Sequence, residues 1–173
     1  RPCIKNPFAH ATNVRSEIID MFSKFPDAGL GIPTGPINGV TVVDIDIKNG
    51  VDGWSNLFCL GIDIPVTGLV CTPSGGLHLY YETGNIKVPN SVSKIALGVD
   101  IRSLGGFVQG PGTLTKNGKY SWSMRYLCPI SKITEMPADL LSLCEAQDPK
   151  SVKPELGHRS SVRKTLMDKV NEG

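Results

Sequence analysis

The chain has 173 residues, of which 40% are hydrophobic and 20% are charged, and its formal net charge is +2. This composition is typical of one globular domain with a buried core, and it excludes a largely disordered chain. No apolar run approaches the roughly 20 residues that span a bilayer, and no signal-peptide pattern opens the chain, so we expect a cytoplasmic protein.

Five cysteines lie far apart along the chain, at positions 3, 59, 71, 128 and 144. Their odd count and the lack of a Cys-x-x-Cys pair disfavour both a zinc ribbon and a disulfide framework, so we expect reduced thiols. The first residue is Arg1 rather than methionine, which leads us to expect a fragment or a processed product.

The first predicted element is a helix that begins at a cap on Thr12 or Asn13 and ends near Lys24, before Pro26. Its apolar stripe consists of Val14, Ile18, Phe22 and Phe25. Residues 29–39 are rich in glycine and proline, which predicts a loop that leads into the next strand.

The strand predicted over residues 40–47 carries two aspartates on one face. Because side chains alternate along a strand, Asp44 and Asp46 share one face, while Val43, Ile45 and Ile47 share the other. Carboxylates are rarely buried unless they are paired or bound to a metal ion. The strand therefore predicts a divalent cation beside Asp44 and Asp46.

The middle of the chain predicts a short helix over residues 52–60, a strand over 69–72 and a turn over 73–76. We expect the helix to direct Trp54, Leu57 and Phe58 inward. A clearly alternating strand follows over residues 77–82, with Leu77, Leu79 and Tyr81 on one face and His78, Tyr80 and Glu82 on the other.

The last third predicts short strands over residues 99–102, 107–109 and 120–126, then a helix over 137–145. Asp100 and Arg102 share one face of the first of these strands. Residues 147–160 are polar and predict a linker, followed by a helix over 161–171. Several strands with segregated helices favour an α+β fold, with residues 1–146 as the domain and 147–173 as a linker and helix that lead to a further domain.

Three of these strands place polar side chains on the face opposite their apolar residues. If the strands are neighbours in a sheet, Asp44, Asp46, His78 and Asp100 meet at one patch, where the carboxylates repel one another. Mg²⁺ or Mn²⁺ would relieve this repulsion, since both ions prefer carboxylate oxygen. Two such ions can stabilise the attacking and the leaving oxygen of a phosphoryl displacement.

The turn just before His78 has features of a phosphate site. Gly75 and Gly76 allow backbone N–H groups to approach an anion, and the hydroxyl of Ser74 can donate a hydrogen bond. Arg102 adds a planar guanidinium that suits phosphate. A nucleoside triphosphate is the kind of ligand that fits this group.

Each motif also has a purely structural interpretation. The Asp-x-Asp pair could lie on a solvated edge, residues 74–76 could form an ordinary hairpin turn, and Asp100 with Arg102 could be a local ion pair. His78 could be a structural strand residue, and we interpret His10 and His158 as structural because no partner pattern surrounds them.

The order of the motifs resembles a known family, the bifunctional DNA primase/polymerase (prim-pol) N-terminal domain of the archaeo-eukaryotic primase superfamily. The resemblance runs from about residue 2 to residue 122 and includes residues 31–35 and 110–113. It depends on Asp44-Ile45-Asp46, then Ser74-Gly75-Gly76-Leu77-His78, then Asp100-Ile101-Arg102 with Gly105-Gly106-Phe107. Relatives often have Pro-Pro-Ser after the third motif, where this chain has Gly110-Pro111-Gly112-Thr113, so a hydroxyl role there would pass to Thr113.

This resemblance implies an RRM-like antiparallel sheet packed with a second small α/β unit, with the active site in the cleft between them. It also implies that Asp44, Asp46 and Asp100 are catalytic residues that hold two Mg²⁺ or Mn²⁺ ions. Nucleotide binding would fall to Ser74, Gly76, His78, Arg102, Thr34, Gly35 and Gly106.

The function implied is metal-dependent, template-directed nucleotidyl transfer from nucleoside triphosphates, in plasmid, phage or prophage replication. Single-stranded DNA template and primer would be partners, and a helicase domain would follow in the full-length protein. One alternative is a replication-associated module that binds nucleotide or single-stranded DNA without catalysis. Another is a sugar-nucleotide transferase that uses the Asp-x-Asp pair, although it would leave His78 and Asp100 unexplained.

Overall fold

A computed structural model describes residues 3–123 and 133–146. Its helices are α1 (Arg15–Lys24), α2 (Gly53–Phe58) and α3 (Ala138–Glu145). The strands, in chain order, are β1 (Gly31–Pro33), β2 (Val40–Ile45), β3 (Ile47–Lys48), β4 (Val51–Asp52), β5 (Gly68–Cys71), β6 (Leu77–Glu82), β7 (Ser91–Ala96), β8 (Val99–Arg102), β9 (Phe107–Gln109), β10 (Leu114–Thr115), β11 (Gly118–Lys119), β12 (Ser121–Trp122) and β13 (Thr134–Glu135). The few helices and mostly antiparallel strands confirm the α+β prediction.

The main sheet has the strand order β12–β5–β6–β2–β8–β7. These neighbours pair antiparallel, and β13 adds a parallel pair to the end of β6. Smaller antiparallel pairs join β1 to β9, β3 to β4 and β10 to β11. The strand that carries Asp44 thus lies inside the sheet, between the strands that carry His78 and Asp100.

Both faces of the main sheet are covered, which explains the nearly continuous apolar run of β2. On one face Val43 and Ile45 pack with Leu57 of α2 and Leu140 of α3. On the other face a second cluster contains Val42, Val70, Tyr80 and Val108, and residues of β1 and β12 pack against it. The site residues share this second face, because the side chains of β2 alternate.

Several local predictions were wrong. The segment predicted as a loop contains β1, whose Ile32 pairs with Val108 of β9. The strand predicted over residues 40–47 is β2, which ends earlier, at Ile45, because the chain turns into the β3–β4 hairpin after Asp46. Of the α2 residues expected inward, Leu57 is buried, but Trp54 and Phe58 are 37% and 73% exposed, since a helix of six residues turns one narrow stripe to the core. The edge strand β7 was not predicted.

The predictions of α1 and α3 were confirmed. Helix α1 begins at Arg15 after Val14 as its N-cap, so the predicted cap on Thr12 or Asn13 was wrong; the Oγ1 atom of Thr12 accepts a hydrogen bond from the Val14 N–H, which precedes the helix. Its apolar stripe is not buried, and Ile18, Phe22 and Phe25 of that stripe line a cavity of about 300 Å³ against β1 and β9. Within the described residues, no helix has the length and apolar character needed to cross a membrane.

Other predictions can be compared only in part. Cys3, Cys59, Cys71 and Cys144 are free thiols, as expected for these four. Residues 124–126 of the predicted strand, Cys128, the linker over 147–160 and the helix over 161–171 lie outside the described residues, so the proposed domain division stays a prediction.

Candidate active site

Asp44 lies at the centre of the candidate site, on the central strand β2. In the strand register it stands opposite His78 of β6 on one side and Asp100 of β8 on the other. Directly opposed residues of antiparallel strands share a face and have Cβ atoms about 5 Å apart. The condition set from the sequence, that the three strands be neighbours, is therefore met.

An arginine joins two of the carboxylates. The Nη2 atom of Arg102 lies 2.7 Å from Oδ2 of Asp100, and its Nε atom lies 3.5 Å from Oδ2 of Asp44. The other oxygen of Asp100 accepts a hydrogen bond from the Ser93 N–H at 2.9 Å. The Asp100 side chain is 8% exposed, so both of its oxygens are used inside the protein, as a buried carboxylate requires.

Asp46 follows the end of β2, and glycines hold its backbone. Its N–H donates to the Gly98 carbonyl at 2.8 Å, and its carbonyl accepts from the Gly53 N–H at 2.9 Å. A Cβ atom at Gly53 or Gly98 would collide with this corner, so glycine is needed at both positions. The Asp46 carboxylate is 32% exposed and pairs with Nζ of Lys48 at 2.8 Å. This contact raises the pKa of Lys48.

The pKa of Asp44 is raised from 3.8 to about 6. Desolvation by burial is the largest cause, because the side chain is 22% exposed. The charge of Arg102 lowers the pKa, while the charges of Asp46 and Asp100 raise it. The shift shows that the three carboxylates lie close enough to repel one another, and that Arg102 compensates for only part of the cost.

His78 is buried beside Asp44. Its Nε2 atom lies 3.4 Å from Oδ1 of Asp44, and its side chain is 5% exposed. Burial, with the nearby charge of Arg102, lowers its pKa from 6.5 to about 4, so the imidazole is neutral at pH 7. The ring of Tyr120 lies against it, with ring centroids 5.5 Å apart. The Nδ1 atom is buried without a hydrogen-bond partner.

The predicted phosphate turn reaches the end of the same strands. Ser74 is exposed at its tip, with Oγ 3.0 Å from Oγ1 of Thr72, and Gly75 adopts a φ of 88°. Gly76 has a packing reason as well, because a Cβ atom there would meet the carbonyl oxygen of Ile45. The turn therefore lies close to β2 and presents one hydroxyl to the surface.

The remaining candidates lie at the other end of β8. Thr34 is 1% exposed, and its hydroxyl donates to the Ser103 carbonyl at 2.9 Å. A Cβ atom at Gly106 would lie 2.8 Å from Oγ1 of Thr34, and one at Gly35 would lie 2.9 Å from the backbone of Leu104. These residues pack two loops together, and no described contact links them to Asp44. Their nucleotide role stays a prediction.

The hydroxyl of Thr113 also has a packing role. Its Oγ1 atom accepts a hydrogen bond from the Leu30 N–H at 2.9 Å, and the residue is 5% exposed. It therefore ties the loop after β9 to the segment before β1.

The donor chemistry of the site suits a hard divalent cation, since Asp44, Asp46 and Asp100 supply only carboxylate oxygen. As the side chains stand, however, no group of three His, Cys, Asp or Glu residues within 3–123 and 133–146 is arranged to hold a metal ion. Arg102 accounts for the difference, because its guanidinium occupies the space between Asp44 and Asp100 that a shared cation would need.

Three contributors were not recognised in the sequence. Ser93 has a φ of 49°, and its hydroxyl accepts from the Gly98 N–H at 3.1 Å, so a β-bulge in β7 aims its own N–H at Asp100. Tyr120 covers His78, and Lys48 pairs with Asp46. Of these three residues, only Lys48 had a sequence signal. It lies two residues after Asp46, and residues two apart in a strand share a face, so a basic side chain was to be expected beside the aspartates.

The comparison with protein families supports the resemblance identified in the sequence. A family model described as "Bifunctional DNA primase/polymerase, N-terminal" matches residues 1–139. No curated protein matches the chain. The family match includes every residue of the candidate site.

Proposed function

The chain belongs to the family of bifunctional DNA primase/polymerase N-terminal domains, and we propose that it catalyses template-directed nucleotidyl transfer from nucleoside triphosphates to a primer 3′-hydroxyl. The observation that carries this proposal is the register of the central strand, where Asp44 stands between His78 and Asp100. Cation binding would be favourable at Asp44, because its pKa is about 6 and the charges of two other carboxylates act on it.

Asp44, Asp46 and Asp100 would hold two Mg²⁺ or Mn²⁺ ions. When bound, such ions supply charge neutralisation at the attacking and the leaving oxygen of the displacement. Arg102 takes this neutralising part in the structure, through its contacts with Asp44 and Asp100. With the carboxylates held by cations instead, its guanidinium would be free to contact a phosphate.

The chain's own groups would then position the triphosphate. The exposed hydroxyl of Ser74 and the backbone of the glycine turn lie beside the end of β2, where they can donate to phosphate oxygens. His78 is neutral and held by Tyr120, so one ring edge can donate beside Asp44 without adding a charge. Catalysis would depend on positioning and electrostatic stabilisation.

The wider setting is part of the same proposal. We propose that the sheet corresponds to an RRM-like unit with a second small unit beside it, and that the site lies in the cleft between them. Single-stranded DNA template and primer would be the partners, in plasmid, phage or prophage replication in the cytoplasm. A helicase domain would follow in the full-length protein.

Primer extension tests the proposal directly. A labelled primer–template is incubated with each nucleotide type in Mg²⁺, Mn²⁺ or chelator, with the wild type and with Asp44→Asn and Asp100→Asn. We expect extension by the wild type with metal, and none by either variant or with chelator. Asp63→Asn, at an exposed aspartate outside the cluster, is the matched control and should extend like the wild type. Extension by Asp44→Asn at the wild-type rate would refute the proposed role.

A binding module without catalysis is the second candidate, and the Arg102 contacts favour it, because the guanidinium already offsets part of the negative charge of Asp44 and Asp100. Metal-dependent nucleotide binding without extension, where a control polymerase works, would support it. The mostly antiparallel sheet disfavours the sugar-nucleotide transferase hypothesis, since enzymes of that class are expected to have a parallel sheet.

A further inference from the structure

A two-stranded hairpin projects beside the candidate site. Strands β10 and β11 pair only with each other among the described strands, and Leu114 stands opposite Lys119. The base of the hairpin is closed by a hydrogen bond from the Tyr120 N–H to the Thr113 carbonyl at 2.9 Å. Since Tyr120 lies against His78, the hairpin emerges directly from the wall of the site.

The hairpin also follows the predicted phosphate turn. A Cβ atom at Gly118 would lie 3.5 Å from Cβ of Pro73, so the returning strand β11 lies beside the first residue of that turn. The charges of Asp44, Asp46 and Lys48 all act on the pKa of Tyr120, which burial raises first. The hairpin is thus adjacent to both the acidic cluster and the turn.

The hairpin contributes little to the core. Leu114 is 73% exposed, and Thr115, Lys116, Asn117 and Lys119 are exposed as well. Such a short isolated pair of strands has little stability of its own. Its shape is set locally instead, by hydrogen bonds around the Thr115 hydroxyl.

The two lysines of the hairpin have no ion-pair partner among the described residues. No carboxylate in residues 3–123 or 133–146 lies within ion-pair distance of Lys116 or Lys119, whereas Lys48 is held by Asp46. Two uncompensated lysines therefore stand beside a site that is itself acidic. A polyanion that approaches the acidic cluster is repelled by it, and basic groups at its margin would offset that repulsion.

We propose that the β10–β11 hairpin is a nucleic-acid-binding element, in which Lys116 and Lys119 contact the phosphodiester backbone of the primer–template and Leu114 packs against a sugar or base. This inference rests on the proposed polymerase function, for which it names the surface that holds the polymer. The two lysines bind without sequence preference, because phosphate contacts carry no sequence information.

Binding of a fluorescent primer–template, followed by anisotropy at several salt concentrations in Mg²⁺, tests the proposal. We expect Lys116→Gln/Lys119→Gln to raise the Kd about tenfold and to reduce the slope of log K against log salt by about 2, as for two lost phosphate contacts. Leu114→Ser should raise the Kd without changing the slope, because it removes no charge. Circular dichroism verifies that each variant is folded. Lys116→Gln alone serves as a second variant, because it changes only the turn between β10 and β11.

The matched control is Lys87→Gln/Lys94→Gln, which removes two exposed lysines near the opposite edge of the sheet. It should leave both Kd and slope unchanged. Equal Kd and slope values for the hairpin and control variants would overturn the proposal. A raised KM for the nucleotide with unchanged DNA binding would also overturn it, since the lysines would then contact the triphosphate.

The outcome separates this inference from the proposed function. If the wild type binds primer–template through the hairpin but never extends it, the polymerase proposal fails and the hairpin proposal stands. If the wild type extends primers and the hairpin variants bind like the wild type, only the hairpin proposal fails. If the wild type binds no nucleic acid, both the polymerase proposal and the hairpin proposal fail.

Discussion

Replacing Asp44 with asparagine should stabilise the metal-free domain while it removes activity. The Asp44 carboxylate is costly in the fold, because burial and the charges of Asp46 and Asp100 raise its pKa from 3.8 to about 6, even against the attraction of Arg102. Since a pKa unit corresponds to about 1.4 kcal/mol, the ionised form costs up to about 3 kcal/mol. Asn has nearly the same shape and no charge, so Asp44→Asn avoids this cost.

The pH dependence follows from the sign of the shift. The folded state binds the Asp44 proton more tightly than the unfolded state, so the stability that it contributes is fully present below pH 3.8 and is lost as the pH rises through about 6. His78 acts in the opposite direction: its pKa falls from 6.5 to about 4, so its contribution is present above pH 6.5 and is lost as the pH falls through about 4. The difference between wild type and Asp44→Asn at each pH isolates Asp44.

Urea unfolding in chelator, at pH values from 4 to 7.5, measures this difference. We expect Asp44→Asn to match the wild type near pH 4 and to exceed it by up to about 3 kcal/mol above pH 7. Asp27→Asn, at an exposed aspartate, is the control and should not change the stability. An Asp44→Asn advantage that is absent at pH 7.5, or that is equally large at pH 4, would refute the electrostatic reasoning.

Three further predictions concern the same site. Mg²⁺ or Mn²⁺ should raise the Tm of the wild type but not of Asp44→Asn, and an equal rise in calorimetry would place the ions elsewhere. His78→Gln should remove the loss of stability that the wild type shows as the pH falls from 6.5 to about 4, and should raise the KM for nucleotide; an unchanged stability profile would contradict the buried neutral imidazole. Ser93→Gly should retain extension, because glycine tolerates the positive φ and keeps the N–H that binds Asp100, whereas Ser93→Val should lower kcat with little effect on KM. Equal kcat values for these two variants would show that the Ser93 backbone does not position Asp100.

The sequence was sufficient to deduce which side chains share a face of each single strand. The pattern of β6 predicted that Leu79 and Tyr81 share a face, and both lie in one core cluster. The pattern of β8 placed Asp100 and Arg102 together, and they form an ion pair. Such predictions succeed because side-chain direction in a strand depends only on local backbone geometry. They failed where the chain bends, as after Ile45, or where a helix is too short to show a stripe, as in α2.

The sequence by itself determined which side chains share a face and, through the order of its motifs, the family to which the chain belongs. The tertiary structure decided that β2 lies between β6 and β8, that Arg102 links Asp44 to Asp100, and that a bulge at Ser93 holds Asp100 from a strand without any sequence signal. For the sheet order and the Arg102 link to Asp44, the physical reason is distance along the chain: they join segments dozens of residues apart, whereas the period of a strand is set within a few residues. The contact between Ser93 and Asp100 is local, but it depends on a β-bulge, which breaks that period.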